Sequence, residues 1–249
     1  MYNILFVGYG VMGQYEASRL SKLKPDVYDK YKPEVNRVRP IHYDVAFVAV
    51  PTDTIEGKCD LTNVEDAIKN TDAEVIVIKS TVTPGSTRAF AAKYGKRLVF
   101  SPEFSGVTQH AKDFPQNFTI LGGERKDCHY VQQILQCVFN ATHHFKIVDF
   151  ETAELTKYMI NCFLATKISF CNAFWEAAQQ FGVDYDEMRE CVLLDERIGR
   201  PHTFVYDNAP YWDSHCFNKD YPAIANLTNN EFMLGVVDYN NHMKKKYGK

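Results

Sequence analysis

Three glycines constrain this chain more than any other feature. Gly8-Tyr9-Gly10-Val11-Met12-Gly13 follows the apolar run Ile4-Leu5-Phe6-Val7 and opens a stretch of helix-forming residues. Read as strand, turn and helix, the first glycine permits a tight turn and the second lets a ligand approach the backbone. The third allows the helix to pack closely on the strand. Unpaired N–H groups and the dipole at such a helix N-terminus favour an anion, so Gly8, Gly10, Val11, Met12 and Gly13 suit a dinucleotide pyrophosphate. Asp29 closes the next strand. An acid there hydrogen-bonds the ribose hydroxyls of NAD and repels the 2′-phosphate of NADP, and Lys30 and Lys32 blunt that preference without reversing it. The alternative is a glycine turn in an α/β protein that binds no nucleotide.

The rest of the first half alternates short apolar runs with helical stretches, the pattern of βα units around a parallel sheet. Strands are expected at Tyr2–Val7, Asp26–Tyr28, Asp44–Val50, Glu74–Lys79, Arg97–Phe100, Phe118–Leu121 and Phe145–Val148. Val45-Ala46-Phe47-Val48-Ala49-Val50 is continuously apolar, as a strand covered on both faces requires. Helices are expected at Val11–Leu23, Asn63–Lys69, Ser86–Tyr94 and Lys126–Phe139. From Glu151 the character changes. Thr152–Phe181 contains no Gly or Pro, and its apolar residues lie on most of the helical circumference. A helix apolar all round is buried on several sides, and a dimer interface would supply missing cover. Helices at Asp184–Leu194, Phe217–Leu227 and Asn230–Lys245 and an irregular loop at Arg197–His215 complete the reading. The expected fold is α/β: an N-terminal Rossmann-type parallel sheet over 1–148, then an all-helical domain with a long central helix over 149–249.

Composition narrows the classes of function. The chain has 249 residues, with 28 Lys and Arg against 31 Asp and Glu and a net charge of −3. That balance offers no general attraction to nucleic acid or to an anionic membrane. No apolar run reaches the roughly 20 residues that span a bilayer, and Met1–Gly8 reads as a strand rather than a signal peptide. A cytoplasmic location is the expectation. The seven cysteines form no CxxC pair, and His143-His144 lacks a third ligand at suitable spacing, so reduced thiols and no metal are expected.

Several residues could carry chemistry. Cys216 lies where the loop meets a helix, in Ser214-His215-Cys216-Phe217-Asn218-Lys219-Asp220. A thiol at a helix N-terminus near Lys219 is expected to have a lowered pKa. Asp220, four residues on, would share its side of the helix and could hold a water or shuttle a proton. A lone cysteine is otherwise a packing residue. Lys157 and Asn161 are also four apart, on the long helix, and can together polarise an oxygen that becomes negative. A partly exposed helix edge would explain them equally well. Glu103, in Ser101-Pro102-Glu103-Phe104, and Thr81, in Lys79-Ser80-Thr81, follow the carboxyl ends of expected strands, where open α/β sheets bind ligands.

Together these segments resemble the UDP-glucose/GDP-mannose dehydrogenase family. The matching stretches are GYGVMG at 8–13, VPT at 50–52, KSTVTPGST at 79–87, SPEF at 101–104, KDF at 112–114 and GG at 122–123. They continue with AELTKYMINCFLATKISFCN at 153–172, LDERIG at 194–199 and CFNKD at 216–220. The resemblance implies oxidation of a nucleotide-sugar C6 alcohol to a carboxylate with two NAD. It makes Cys216 the nucleophile that captures the aldehyde as a thiohemiacetal, later a thioester. Lys157 and Asn161 would stabilise the oxyanion, and Glu103, Thr81 and Asp220 would position water and manage protons. Glu103, Lys157, Asn161 and Arg197 would meet the substrate, with Arg197 reaching that of a neighbouring subunit. Thr52, Thr81 and Lys219 fall where the family contacts NAD, and the long helix falls at its dimer core.

Departures from the family are also legible. The chain ends about where the family's C-terminal nucleotide-binding domain is expected to begin. Tyr211-Trp212-Asp213-Ser214-His215 replaces a glycine-rich segment, Val107 stands for a second Glu, and the excursion after Asp29 is short. Three readings stay open at this point: a minimal nucleotide-sugar 6-dehydrogenase, a single-step NAD-dependent β-hydroxyacid dehydrogenase that uses no thiol, and a non-catalytic NAD-binding scaffold.

Overall fold

The structure, a computed structural model, describes residues 2–104 and 116–248. It divides into two compact units, Met1–Asp53 with Asp60–Lys157, and Thr54–Cys59 with Tyr158–Lys249. The division falls inside the long helix rather than at the expected 148/149 boundary. The first turns of that helix pack into the sheet's core through Ala153, so they belong with the sheet.

The first unit is built on a seven-stranded sheet. Its strands are β1 (Ile4–Val7), β2 (Asp26–Tyr28), β3 (Tyr43–Val48), β6 (Ala73–Ile78), β7 (Leu98–Phe100), β8 (Phe118–Gly123) and β9 (His144–Val148). Between β3 and β6 in the chain come β4 (Thr54–Ile55) and β5 (Lys58–Cys59), which belong to the second unit. The sheet order is β2-β1-β3-β6-β7-β8-β9, and every pairing is parallel except β7 with β8. Helices α1 (Val11–Arg19), α2 (Thr62–Asn70), α3 (Ser86–Tyr94) and α4 (Arg125–Gln136) supply the connections.

Both faces of the sheet are apolar, as the continuous runs demanded. Ile4, Phe6, Val45, Phe47, Val75 and Val77 face one side, against Ala17 of α1, Leu20 just beyond its end, and Val131 and Ile134 of α4. Their alternates Leu5, Val7, Ala46, Val48, Ile76 and Ile78 face the other, against Val64 and Ile68 of α2 and Phe90 of α3. Each fully buried aliphatic or aromatic side chain contributes about 1.5–3 kcal/mol. Strand and helix positions follow the sequence reading with small shifts. Helix α1 stops at Arg19, four residues early, and a 3₁₀ turn over Ser21–Leu23 follows, ending at Lys24 with φ +48°. β3 ends two residues early because the Val50 N–H turns to the Ser80 hydroxyl (2.9 Å).

The second unit contains most of α5 (Phe150–Phe181), with α6 (Tyr185–Val192), α7 (His215–Thr228) and α8 (Glu231–Tyr247). It also contains the β4–β5 hairpin, which the sequence reading lacked. That hairpin turns on Glu56 and Gly57, both at positive φ (+49° and +75°), the backbone of a two-residue turn usually signalled by Asn-Gly. The hairpin meets α7 for a specific reason. Pro222 lies inside α7 and cannot donate to the helical ladder. The Thr54 hydroxyl donates to the carbonyl of Lys219 (2.6 Å), next to the Asn218 carbonyl whose helical donor Pro222 cannot supply. No helix among the described residues is long and apolar enough to cross a membrane.

Within the first unit, the opening turns of α5 are held by a buried carboxylate. Glu154 is fully buried and accepts hydrogen bonds from the backbone N–H groups of Gly85 (2.5 Å) and Thr87 (2.9 Å). Gly85, in the left-handed region, has no side chain to cap α3, so Glu154 supplies the anion that a helix N-terminus favours. Burial pushes its carboxyl above the ordinary range, and the bonds from Thr87 and Gly85 pull it back. Removing the acceptor strands two buried donors at about 1–3 kcal/mol each. Glu154→Ala is therefore expected to cost at least about 2 kcal/mol of stability, measured by urea denaturation. A loss below about 0.5 kcal/mol would show that the anchor contributes little.

Candidate functional site

In the first unit the candidate residues gather at the carboxyl ends of the parallel strands. Gly8 has φ +91°, and a Cβ there would stand 2.4 Å from the carbonyl oxygen of Ala49. A Cβ on Gly13 would stand 2.1 Å from the carbonyl oxygen of Gly8, whereas at Gly10 nothing lies within 4 Å. Two glycines thus permit close packing, and the middle one faces open space. Gly10 stands at the N-cap of α1 with no side chain to cap it, and the first turn carries no acid. The donors of that turn are left for an external anion, and the geometry fits a dinucleotide pyrophosphate.

Asp29 has a second task that spacing alone did not reveal. Its Oδ2 accepts from the N–H of Tyr9 (2.7 Å), inside the glycine turn, and its Oδ1 from the N–H of Tyr31 (2.8 Å). The acid expected to meet a ribose therefore also braces the turn. Each carboxylate oxygen has two lone pairs, so further hydroxyl donors can be accommodated. Thr52 and Thr81 are buried nearby in sequence to strand ends β3 and β6. The Ser80 hydroxyl closes the gap between those ends, donating to the carbonyl of Val50 (2.7 Å).

Glu103 is the centre of a buried charge cluster. Its Oε1 accepts from the Phe104 N–H (2.8 Å), and its carbonyl accepts from Lys157 Nζ (2.5 Å). The Lys157 ammonium also lies 5.2 Å from the Phe104 ring centroid. Arg19 and Lys79 approach Glu103 Oε2 at 3.5 and 4.0 Å and bind Glu16 at 3.0 and 3.1 Å. Sequence reasoning missed Glu16, Arg19 and Lys79. A signal for Glu16 existed: Gly13, Glu16, Ala17 and Leu20 follow the i, i+3, i+4, i+7 spacing of an inward helix face. The KDF match at 112–114 and Val107 lie outside the described residues.

In the second unit α7 begins at His215, with the Ser214 hydroxyl accepting from Phe217 N–H (3.1 Å). Cys216 is exposed in the first turn. Asp220, one turn on, is buried and held from two sides, by Asn161 Nδ2 (2.6 Å) and Lys219 Nζ (2.5 Å). Lys219, expected to contact cofactor, is thus committed in part to Asp220. Tyr158 is buried beside this carboxylate, and burial, with Cys59 and Asp220, raises its phenol far above the ordinary range. Two buried thiols are correspondingly inert: burial pushes Cys128 up to about 12, and burial with Asp220 does the same to Cys162.

The segment 211–215 is held by its buried aromatic residue. Trp212 is buried, stacks on Tyr221 with ring centroids 5.9 Å apart, and donates from Nε1 to Ser169 (2.9 Å). Asn240 bonds both the N–H and the carbonyl of Trp212. The Trp212 ring therefore lies in the helical core. Arg197 stands apart, exposed and paired with Asp195 (2.6 Å).

Comparisons with known proteins agree with this geometry. Residues 31–143 match the NAD binding domain of the UDP-glucose/GDP-mannose dehydrogenase family, and residues 151–242 match its central domain. UDP-glucose 6-dehydrogenase of Rickettsia prowazekii is 31% identical over 229 residues, covering 83% of this chain and 52% of the relative. UDP-glucose 6-dehydrogenase TuaD of Bacillus subtilis is 29% identical, covering 88% of this chain and 50% of the relative. The chain spans about half the length of these curated relatives. Among solved structures, a UDP-glucose dehydrogenase of Pyrobaculum islandicum superposes with a TM-score of 0.83 at 23% identity, over 98% of this chain and 69% of that one. That likeness speaks to the fold. The domain matches, joined to the glycine turn and the α7 element, show that the chain belongs to the UDP-glucose/GDP-mannose dehydrogenase family and carries its NAD-binding and central domains.

Proposed function

We propose that this chain is a nucleotide-sugar 6-dehydrogenase, oxidising a sugar C6 alcohol to a carboxylate in two NAD-dependent steps. The observation that carries the reading is on α7, where an exposed thiol precedes by one turn a buried carboxylate held by Asn161 and Lys219. Family membership and the relatives' names support the substrate class.

Bound NAD supplies the hydride acceptor for each oxidation. Gly8, Gly10, Val11, Met12 and Gly13 hold its pyrophosphate and Asp29 its ribose hydroxyls, with Thr52, Thr81 and Lys219 as further contacts. The alcohol first loses a proton and a hydride to become an aldehyde. The Cys216 thiolate then adds to the aldehyde carbon. A C–S bond forms, the carbonyl electron pair moves to oxygen, and that oxygen takes a proton to give a thiohemiacetal. Loss of its hydroxyl proton and the remaining carbon-bound hydride leaves a thioester. Water attacks the thioester, the C–S bond breaks, and the acid and the thiolate are released. Covalent capture retains the aldehyde for its second oxidation. Lys157 and Asn161 stabilise the oxyanions, and each has a bonded neighbour to orient it. Glu103, Thr81 and Asp220 position the water and take up its proton. Arg197, exposed as the reading needs, reaches the substrate of a neighbouring copy.

A homodimer through α5 completes the proposal. Met159, Phe163, Phe170, Phe174 and Phe181 are all exposed on α5. They recur with steps of four and seven residues, one stripe of a straight helix, and a stripe this apolar is covered in a stable protein.

Three measurements test this reading. NADH formed per nucleotide sugar consumed is expected to be two, and Cys216→Ser is expected to stall after the first oxidation. A ratio of one with an unaffected serine variant would favour the single-step hydroxyacid reading, and NAD binding without turnover the non-catalytic one. Asp29→Ala should weaken NAD at least about tenfold by calorimetry, since it removes the ribose acceptor and loosens the glycine turn. Phe163→Lys combined with Phe174→Lys should convert a dimer to a monomer in sedimentation velocity. A parent chain that sediments as a monomer would remove the α5 interface.

A further inference from the structure

Among the described residues no hydrogen bond reaches the sulfur of Cys216, which is exposed in the first turn of α7. Its place is set by whatever fixes the start of that helix. The residues that lead into α7, 211–214, are held one after another. Lys244 of α8 lies over the Tyr211 ring, 5.9 Å from its centroid. Asn240, one turn earlier on α8 and buried, accepts from the N–H of Trp212 (2.9 Å) and donates to its carbonyl (3.0 Å). Asp213 Oδ1 accepts from Lys244 Nζ (2.8 Å) and from Asn218 Nδ2 of α7 (2.6 Å). The Ser214 hydroxyl then caps α7 by accepting from the Phe217 N–H.

Asn240 and Lys244 are four apart, so one face of α8 meets three consecutive residues of the segment. Asn240 spends both halves of its amide on Trp212, which fixes the direction of the chain as well as its place. The Asp213 and Lys244 side chains are 46% and 48% exposed, and an ion pair so open to water adds little to stability. What it supplies is geometry. A single carboxylate oxygen joins α8 to the opening turns of α7, two residues past the sulfur.

We infer that Asn240 and Lys244 are positioning residues for Cys216: through Trp212 and Asp213, α8 fixes the turn that presents the sulfur. This role rests on the proposed capture of an aldehyde by Cys216. Capture competes with escape of the aldehyde into water, so the thiol must be in place once the first hydride has left. A misplacement of about 1 Å can cost such a step about a hundredfold. The first oxidation forms no bond to sulfur, so a loosened turn slows capture and spares the step before it. A general loss of structure slows both.

Turnover by Asn240→Ala and Asp213→Ala separates those outcomes. In each, NADH formed per nucleotide sugar consumed is expected to fall from two toward one, with free aldehyde recovered by hydroxylamine trapping. The rate of the first NADH should stay within about twofold of the parent. Asp213→Asn, which keeps an oxygen to accept from Asn218 and Lys244, should restore the ratio. Should Asn240→Ala fail to fold, the exposed Asp213→Ala carries the test. A ratio of two in either folded variant, a first step slowed as much as the second, or no recovery in Asp213→Asn would overturn the inference. Amide hydrogen exchange is read beside turnover, and residues 212–218 should exchange at least about tenfold faster in both alanine variants. Unchanged exchange overturns the inference whether or not the chain oxidises a sugar. If the parent forms no NADH from any nucleotide sugar, the proposed activity fails, while faster exchange leaves α8 as the element that places the Cys216 turn.

Discussion

The backbone of Gly8 passes so close to the carbonyl of Ala49 that no side chain fits between them, and Gly13 passes as close to Gly8. Strand β1, the turn and helix α1 can meet β3 only because these positions carry no Cβ. The parallel sheet is ordered around that contact. Asp29 braces the same turn through Tyr9, so the residue expected to recognise a ribose also maintains the loop that would hold the phosphates. Cofactor recognition and local folding are thus two results of one hydrogen-bonded arrangement.

Much of the sheet was legible because burial on both faces leaves an unmistakable apolar run. Val45-Ala46-Phe47-Val48 reads as a strand from composition alone, and both of its faces are occupied as expected. Ser86–Tyr94 is found with the expected bounds, since Gly85 and Gly95 mark its ends. The β4–β5 hairpin was not legible. Its strands have two residues each, too few for a period, and Glu56 adopts a turn conformation that its residue type does not advertise. The end of the first unit was hidden for another reason. α5 is uninterrupted in sequence, and only its contacts reveal that its opening turns serve the sheet.

The candidate chemistry was legible to a different degree. Cys216, Asp220, Lys157 and Asn161 emerge from helical spacing and family motifs, and the structure adds what the last three are bonded to. Glu16 and Lys79 are harder to see, because a charge buried against another charge leaves no mark in hydropathy except a polar residue on an apolar face. The sequence does not show which way Trp212 points, and its ring fills the core against Tyr221. Substitution by size is informative only once the direction of the side chain is known.

The threonine that donates to Lys219 lies 165 residues earlier in the chain. A ribosome therefore delivers the hydroxyl long before the helix whose carbonyl accepts from it. The helical unit cannot be completed from its own contiguous segment, and a fragment cut within α5 would lack the donor for α7. The hairpin hydroxyl thus waits for 165 further residues before its acceptor exists.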